Sequence, residues 1–347
     1  MKKASGLFFL VVTVFLTVTV LPGKQVISAD LDKVAEALEK SDYATALTLL
    51  EPLAAAGDAV AQYNLGVLYR EGKGVPRDGG QAFKWFEQAA AQGHVPALNN
   101  LGMAYSEGFG VPRDAKAAVR YFTIAAEKGS ASAQGNLGSA YEKGQGVAVD
   151  EEAAFHWYNL AAQQGDVIGQ YNLGVMYLGG TGVARDPATA IRWFELAASQ
   201  GSADARYNLG LIYHKGLGVP GDVREAIRWY KLAADQGLAS AQYNLAFAYA
   251  LGEGVPVDGV QVVKWLRLAA EQGHAKAQFS LGKLYLQGQG VPQDYLRAHM
   301  WWSFAVAGGL NEVSEGLEMI EREISAVQLN EAKKLADNCR GKNYKGC

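Results

Sequence analysis

Cysteine is nearly absent: Cys339 and Cys347 are the only two in 347 residues. No Cys-x-x-Cys spacing and no histidine in the tail supports a zinc or dithiol redox site there. Positive charge is not in excess either, with 32 Lys and Arg against 35 Asp and Glu and no basic tract. That balance removes the electrostatic basis for nucleic-acid binding. The apolar run Leu7–Leu21 is 15 residues long, short of the ~20 a spanning helix needs. Histidine is sparse, and His94, His156, His214, His274 and His299 form no ligand cluster. His94 and His274 share a turn position but lie far apart along the chain. Ser-x-x-Lys accompanied by its supporting hydrolase motifs is missing as well. No metal, no cofactor and no catalytic residue is expected, and the chain reads as a non-enzyme.

What is present is repetition. Leu65, Leu101, Leu137, Leu173, Leu209, Leu245 and Leu281 recur every 36 residues without insertion or deletion. A fixed period of this length marks a solenoid whose units bury their apolar faces on one another. Within residues 58–93, Ala61, Leu65, Leu68 and Tyr69 form one helical stripe, helix A of the unit. Gly66 recurs as Gly102, Gly138, Gly174, Gly210 and Gly282, which implies a neighbouring helix too close for a side chain; Ala246 fits a slightly wider crossing. The segment Glu71–Asp78 breaks the helix. It lacks the GxGxxG pattern and the upstream strand of a phosphate-cradling loop. Asp78, Asp114, Asp150, Asp186, Asp222, Asp258 and Asp294 are placed to cap helix B. Trp85, Trp157, Trp193, Trp229, Trp265 and Trp301 share one register on helix B, which favours packing over an aromatic ligand cage. Gly93 and its equivalents end each unit as C-cap glycines. The expected fold class is therefore all-α, a right-handed αα superhelix (solenoid) of 36-residue two-helix repeats.

The ends read differently. Lys2 and Lys3, the apolar run and the small residue Ala29 have the layout of a secretory signal peptide. Its removal takes away Lys2, Lys3 and Lys24 and no acid, leaving 29 basic against 35 acidic residues. The expected organisation is a signal peptide at 1–29, a helical hairpin at 30–57, seven repeats at 58–309 and a C-terminal helical cap with a cysteine-bearing tail at 310–347. The expected location is periplasmic or secreted. An oxidising compartment allows Cys339 and Cys347 to pair as a disulfide.

With Ala-Gln-Tyr-Asn-Leu-Gly at 61–66 and Gly-Val-Pro-Arg-Asp at 74–78, the chain resembles the Sel-one-like repeat proteins, relatives of the tetratricopeptide repeats. The resemblance covers residues 58–309 and implies adaptor or scaffold work in exported complexes. It also implies that Asn64, Asn100, Asn136, Asn172, Asn208 and Asn244, with Ser280 departing, line a concave groove and hold peptide backbone. An asparagine donates and accepts at once, which suits an extended peptide; the alternative is that each ties neighbouring helices together. Basic residues around this series, such as Arg70, Lys143, His214 and Lys215, are interleaved with Glu71, Glu107 and Glu142. That irregularity does not predict recognition of a C-terminal carboxylate. Some cysteine-rich relatives are linked to penicillin binding or hydrolysis, but they carry cysteine pairs inside the repeats.

The expected function is a noncatalytic protein-interaction scaffold or adaptor of the bacterial cell envelope, binding a protein or peptide along the groove. The expected partners exclude nucleic acid and stable membrane insertion after signal removal, and the chain is expected to be a monomer or weak oligomer. The alternatives are a cell-wall-related or β-lactam-binding or hydrolysing enzyme, and a membrane-anchored envelope assembly factor.

Overall fold

The computed structural model describes residues 22–347, with side chains from residue 30. The apolar run assigned to a signal peptide lies outside the described residues. Two compact units make up the chain, one up to Lys128 and one from Gly129.

The first unit contains α1 (Pro22–Glu39), α2 (Tyr43–Ala55), α3 (Ala59–Glu71), α4 (Gly79–Ala91), α5 (Val95–Glu107) and α6 (Ala115–Glu127). Helix α1 starts upstream of the hairpin expected from residue 30, and its Val34 packs with Leu47 and Leu50 of α2. The second unit contains α7 (Ala131–Lys143), α8 (Glu151–Gln163), α9 (Val167–Gly179), α10 (Pro187–Ser199), α11 (Ala203–Lys215) and α12 (Val223–Asp235). It continues with α13 (Ala239–Leu251), α14 (Gly259–Ala270), α15 (Ala275–Gln287) and α16 (Tyr295–Ala307). A 3₁₀ turn, Asn311–Val313, leads into α17 (Ser314–Glu323) and α18 (Ala326–Gly341). No strand occurs among the described residues. Within each unit the odd and even helices pair into hairpins and each hairpin packs on the next, a helix-pair solenoid architecture.

The same local chemistry starts and stops every hairpin. Asp78, Asp114, Asp150, Asp186, Asp222, Asp258 and Asp294 each cap their helix by accepting a backbone N–H two or three residues on. Each aspartate's own N–H donates to a tyrosine carbonyl of the preceding helix, as Asp186 does to Tyr177 at 2.8 Å, which folds the chain back. Helices α3, α5, α7, α9, α11, α13 and α15 end on left-handed glycines such as Gly72, φ 69°. A side chain at that φ would strain the backbone.

The helix-A glycines have a more specific cause than the close helix crossing expected from the sequence. A Cβ added at Gly66 would lie 2.6 Å from the ring of Phe86, at Gly174 2.8 Å from Phe194, and at Gly210 2.5 Å from Tyr230. The obstacle is an aromatic ring on the partner helix of the same repeat. This explains Ala246: at its turn the ring position holds Leu266, and both line one cavity. The buried ring is the residue after the tryptophan register, so Phe86, Tyr158, Phe194 and Tyr230 are fully covered. Trp85, Trp157, Trp193 and Trp229 are half-buried beside them, while Trp265 and Trp301 are buried.

At the C-terminal end, Val313, Ile320, Ala336 and Cys339 join the core that covers α16. Cys339 and Cys347 form a disulfide with Cα atoms 5.8 Å apart. The ring of Tyr344 meets Phe304 edge-on at 5.0 Å, so the short tail is also packed.

Candidate functional site

Two polar series run along the odd-numbered helices. Their side chains are one turn or less apart on each helix, but they do different things.

The first is a glutamine series absent from the sequence expectations. Gln62, Gln134, Gln170, Gln242 and Gln278 are all buried. Gln62 donates to the Ala54 carbonyl at 3.1 Å, Gln242 to Ala234 at 3.2 Å and Gln278 to Ala270 at 3.1 Å. Each target is a carbonyl in the last turn of the preceding helix, a group left without an intrahelical donor. On their other side these amides accept from the glutamine that ends the hairpin: Gln92 to Gln62, Gln200 to Gln170 and Gln272 to Gln242, all at 2.8 Å. A buried amide satisfied at both ends joins successive hairpins. At one turn Arg206 replaces the glutamine and donates twice to Ala198. Gln236 has no glutamine acceptor there and keeps only the second bond of its equivalent Gln200, donating to the Gly201 carbonyl at 2.8 Å as Gln200 does to Gly165 at 3.0 Å.

The second series is the candidate groove. Asn64 returns its amide to the Val60 carbonyl of its own helix at 2.9 Å. Asn100 is buried and accepts from Arg70 at 3.0 Å, joining α5 to α3. Asn208 donates to the Tyr171 hydroxyl at 3.3 Å, joining α11 to α9. Asn244 lies beside Tyr207 and Tyr230 in one cleft, and Ser280 takes the same place near Tyr243. Asn136 and Asn172 are half-buried at the same register of α7 and α9. Asn100 and Asn208 thus make interhelical ties of the kind weighed against peptide contact.

Burial pushes the hydroxyls of Tyr171, Tyr207, Tyr230 and Tyr243 above the usual tyrosine range, with the neighbouring Asn208, Asn244 and Ser280 side chains acting in the opposite sense. The phenols stay neutral near pH 7 and can both donate and accept. Tyr158, lying under α7, donates to Glu142 at 2.8 Å. Tyr230 reaches His214 at 3.5 Å from the matching position one repeat pair later.

Two neighbouring clefts open on this face. One, of about 320 Å³, is lined by Tyr207, His214, Tyr230, Asn244, Phe247 and Glu253. The other, of about 440 Å³, shares the wall residue Phe247 and includes Leu266, Phe279, Ser280 and Lys283. Ser280-Leu281-Gly282-Lys283 spells Ser-x-x-Lys. The serine lies near Tyr243 and makes no hydrogen bond to Lys283, so the nucleophile–base contact that such a motif needs is not formed. Gly216-Leu217-Gly218-Val219-Pro220-Gly221 spells GxGxxG, but it follows helix α11 and not a strand. Among the described residues no three His, Cys, Asp or Glu side chains gather where a metal ion would sit. His94 and His274 are N-caps, accepting the N–H of Ala97 and Ala277 through Nδ1 at 3.3 and 3.2 Å. Among the described residues no helix is long and apolar enough to cross a membrane.

The Sel1 repeat profile matches residues 59–94, 95–130, 131–166, 167–202, 203–238, 239–274 and 275–310. The chain belongs to the Sel1 repeat family. Among solved structures, this Sel1 repeat protein is similar to one from Oxalobacter formigenes, at 33% identity and TM-score 0.65 over 69% of this chain and 98% of that one. It is also similar to c5321, a protective antigen of uropathogenic Escherichia coli strains with an SLR fold, at 28% identity and TM-score 0.57 over 93% of this chain and 86% of that one. A search of curated proteins finds no match to the sequence.

Proposed function

We propose that this Sel1 repeat protein is a noncatalytic scaffold of the bacterial cell envelope, periplasmic or secreted, that binds a protein or peptide along the face carrying the asparagine series. The observation that carries this reading is the composition of that face. Amides and neutral phenols alternate with exposed apolar groups such as Val175 and Phe247, 37% and 41% exposed, above a core consumed by packing. An extended peptide needs such a mixture: donors and acceptors for its backbone, and apolar surface for its side chains. The charged, apolar and small-residue layout of residues 1–29 supports export.

The test uses the mature chain, residues 30–347, as bait in native envelope extract, followed by pairwise binding with each purified candidate. Asn208→Ala combined with Asn244→Ala is expected to weaken the true partner by roughly tenfold or more while helicity is kept. Turnover of a β-lactam or a cell-wall fragment by a chain that binds no protein overturns the proposal. A mature N-terminus that retains residues 1–29 in the membrane would replace the released scaffold with an anchored one.

A further inference from the structure

Turns 203–238 and 239–274 build the same three-helix cleft from different side chains. In the first, the interior is already occupied and polar. Tyr230 faces His214 at 3.5 Å, His214 Nε2 lies 4.0 Å from Glu253, and Asn244 fills the same cleft beside Tyr207 and Tyr230. One period later three of these groups are cut back and the fourth loses its charge. Leu266 stands for Tyr230, Ala250 for His214, Ser280 for Asn244 and Gln289 for Glu253. The cavity grows from about 320 to about 440 Å³.

Its floor is Ala246, Val262 and Leu266, all buried, and its walls include the rings of Phe247 and Phe279. The rim carries Ser280, Gln287, Gln289 and a single charged group, Lys283. Lys283 is exposed and has no ion pair among the described residues. The volume falls in the range of small-ligand sites, about 300–1,000 Å³, and two ring-bearing walls favour an aromatic guest.

We propose that this cleft is a side-chain socket: it takes a phenylalanine of a bound peptide whose next residue is an aspartate, the carboxylate pairing with Lys283. The proposal rests on the groove reading above and gives it a specificity. The apolar floor excludes a charged side chain at the socket, because a buried charge without a partner is costly. The rim amides and hydroxyl serve the peptide backbone. A lone cation at the rim selects the sign of the flanking residue.

The experiment follows the methyl signals of Val262, Leu266 and Leu284 in residues 30–347 while N-acetyl-Phe-Asp-amide is added. N-acetyl-Ala-Asp-amide and N-acetyl-Phe-Lys-amide serve as the paired controls. The Phe-Asp probe is expected to shift these three residues, with affinity roughly fivefold or more above either control. Lys283→Glu should invert the preference between Asp and Lys, and as an exposed change it keeps the fold. Ala250→Trp, or Ala250→His with Ala246→Gly and Leu266→Tyr as in the preceding turn, should close the socket and reduce the response roughly tenfold. Shifts that miss the three methyl residues, an unchanged Ala250→Trp response or an unaltered charge preference in Lys283→Glu overturn the proposal. So do shifts that grow with protein concentration alone, which would make a second copy the occupant. A natural partner weakened by the asparagine variants but indifferent to Ala250→Trp sinks the socket and leaves the groove; indifference to both sinks the groove.

Discussion

Turn 203–238 and turn 239–274 have the same backbone plan and opposite interiors at the groove. Leu209 and Leu245 are both fully buried, Asp222 and Asp258 both cap, and Gly216 and Gly252 both end their first helix in the left-handed region. Above that common floor, one turn holds Tyr230 and His214 where the other holds Leu266 and Ala250, and the helix that follows closes the first cleft with Asn244 and the second with Ser280. The floor fixes how hairpins stack and tolerates little change. The groove positions differ because the floor alone closes the fold, and the specificity we propose would lie with them.

The largest effect should be the one that ignores the difference between the turns. Leu209→Ala and Leu245→Ala are each expected to cost about 2–5 kcal/mol, read from chemical denaturation of residues 30–347. A loss at Leu245 far below that at Leu209 would mean that the enlarged cavity has softened the floor beneath it, contrary to the separation proposed. The next effect should expose the difference. Gly210→Ala pushes a methyl to 2.5 Å from the Tyr230 ring and should cost about 1–3 kcal/mol. Adding Tyr230→Leu reproduces the Ala246–Leu266 combination and should recover part of that loss. Strict additivity in this double-mutant cycle would break the pairing.

The hairpin clasp differs between the turns as well. Gln242→Leu removes one of the donors to the Ala234 carbonyl, which keeps the Gly237 N–H, and one acceptor of the Gln272 amide, which keeps the Leu268 carbonyl, and should cost about 0.5–1.5 kcal/mol. Arg206→Gln should be nearly neutral, since Gln236 then regains the acceptor that its equivalents use. A neutral Gln242→Leu, measured by the same denaturation midpoint, would show that water replaces both bonds.

Much of the floor was legible because it is periodic and its residue types are diagnostic. Glycine, aspartate and leucine at 36-residue spacing specify cap, turn and stripe without reference to any partner. The glutamine clasp has the same period, yet its meaning lies in main-chain carbonyls of the preceding helix that the sequence does not display. Gln62 between Ala61 and Tyr63 looks like the polar edge of an amphipathic helix and is buried. The ring above each helix-A glycine was half-legible: the glycines announced a close approach, but the Phe86 series that causes it was overshadowed by the adjacent tryptophans. The enlarged cleft was not legible, because it arises from what Leu266, Ala250 and Ser280 omit, and an omission shows only beside the filled cleft of Tyr230 and His214. For the asparagines, the sequence shows only a shared register, while the ties of Asn100 to Arg70 and of Asn208 to Tyr171 depend on residues 30 and 37 positions away.

The smallest effect concerns how α11, α5 and α15 begin. Ser202 caps α11 with a hydroxyl that does not titrate near neutrality, whereas His94 and His274 cap α5 and α15 through Nδ1. Only the neutral imidazole offers that lone pair. Burial lowers both histidine pKa values below the ordinary 6.5, opposed at His94 by the charge of Asp58 and at His274 by a backbone hydrogen bond. The unfolded chain therefore takes up these protons first as the solution is acidified, and folding loses stability where the unfolded state binds more protons. The contribution is fully present above pH 6.5 and is lost as pH falls through the two folded-state values. Asparagine caps a helix without titrating, so His94→Asn with His274→Asn should flatten the fall in melting temperature between neutral pH and about pH 5. Ser202→Asn should leave that slope as it is. Equal slopes in the wild-type chain and the double histidine variant would remove the two caps from the acid response and assign it to the carboxylates instead.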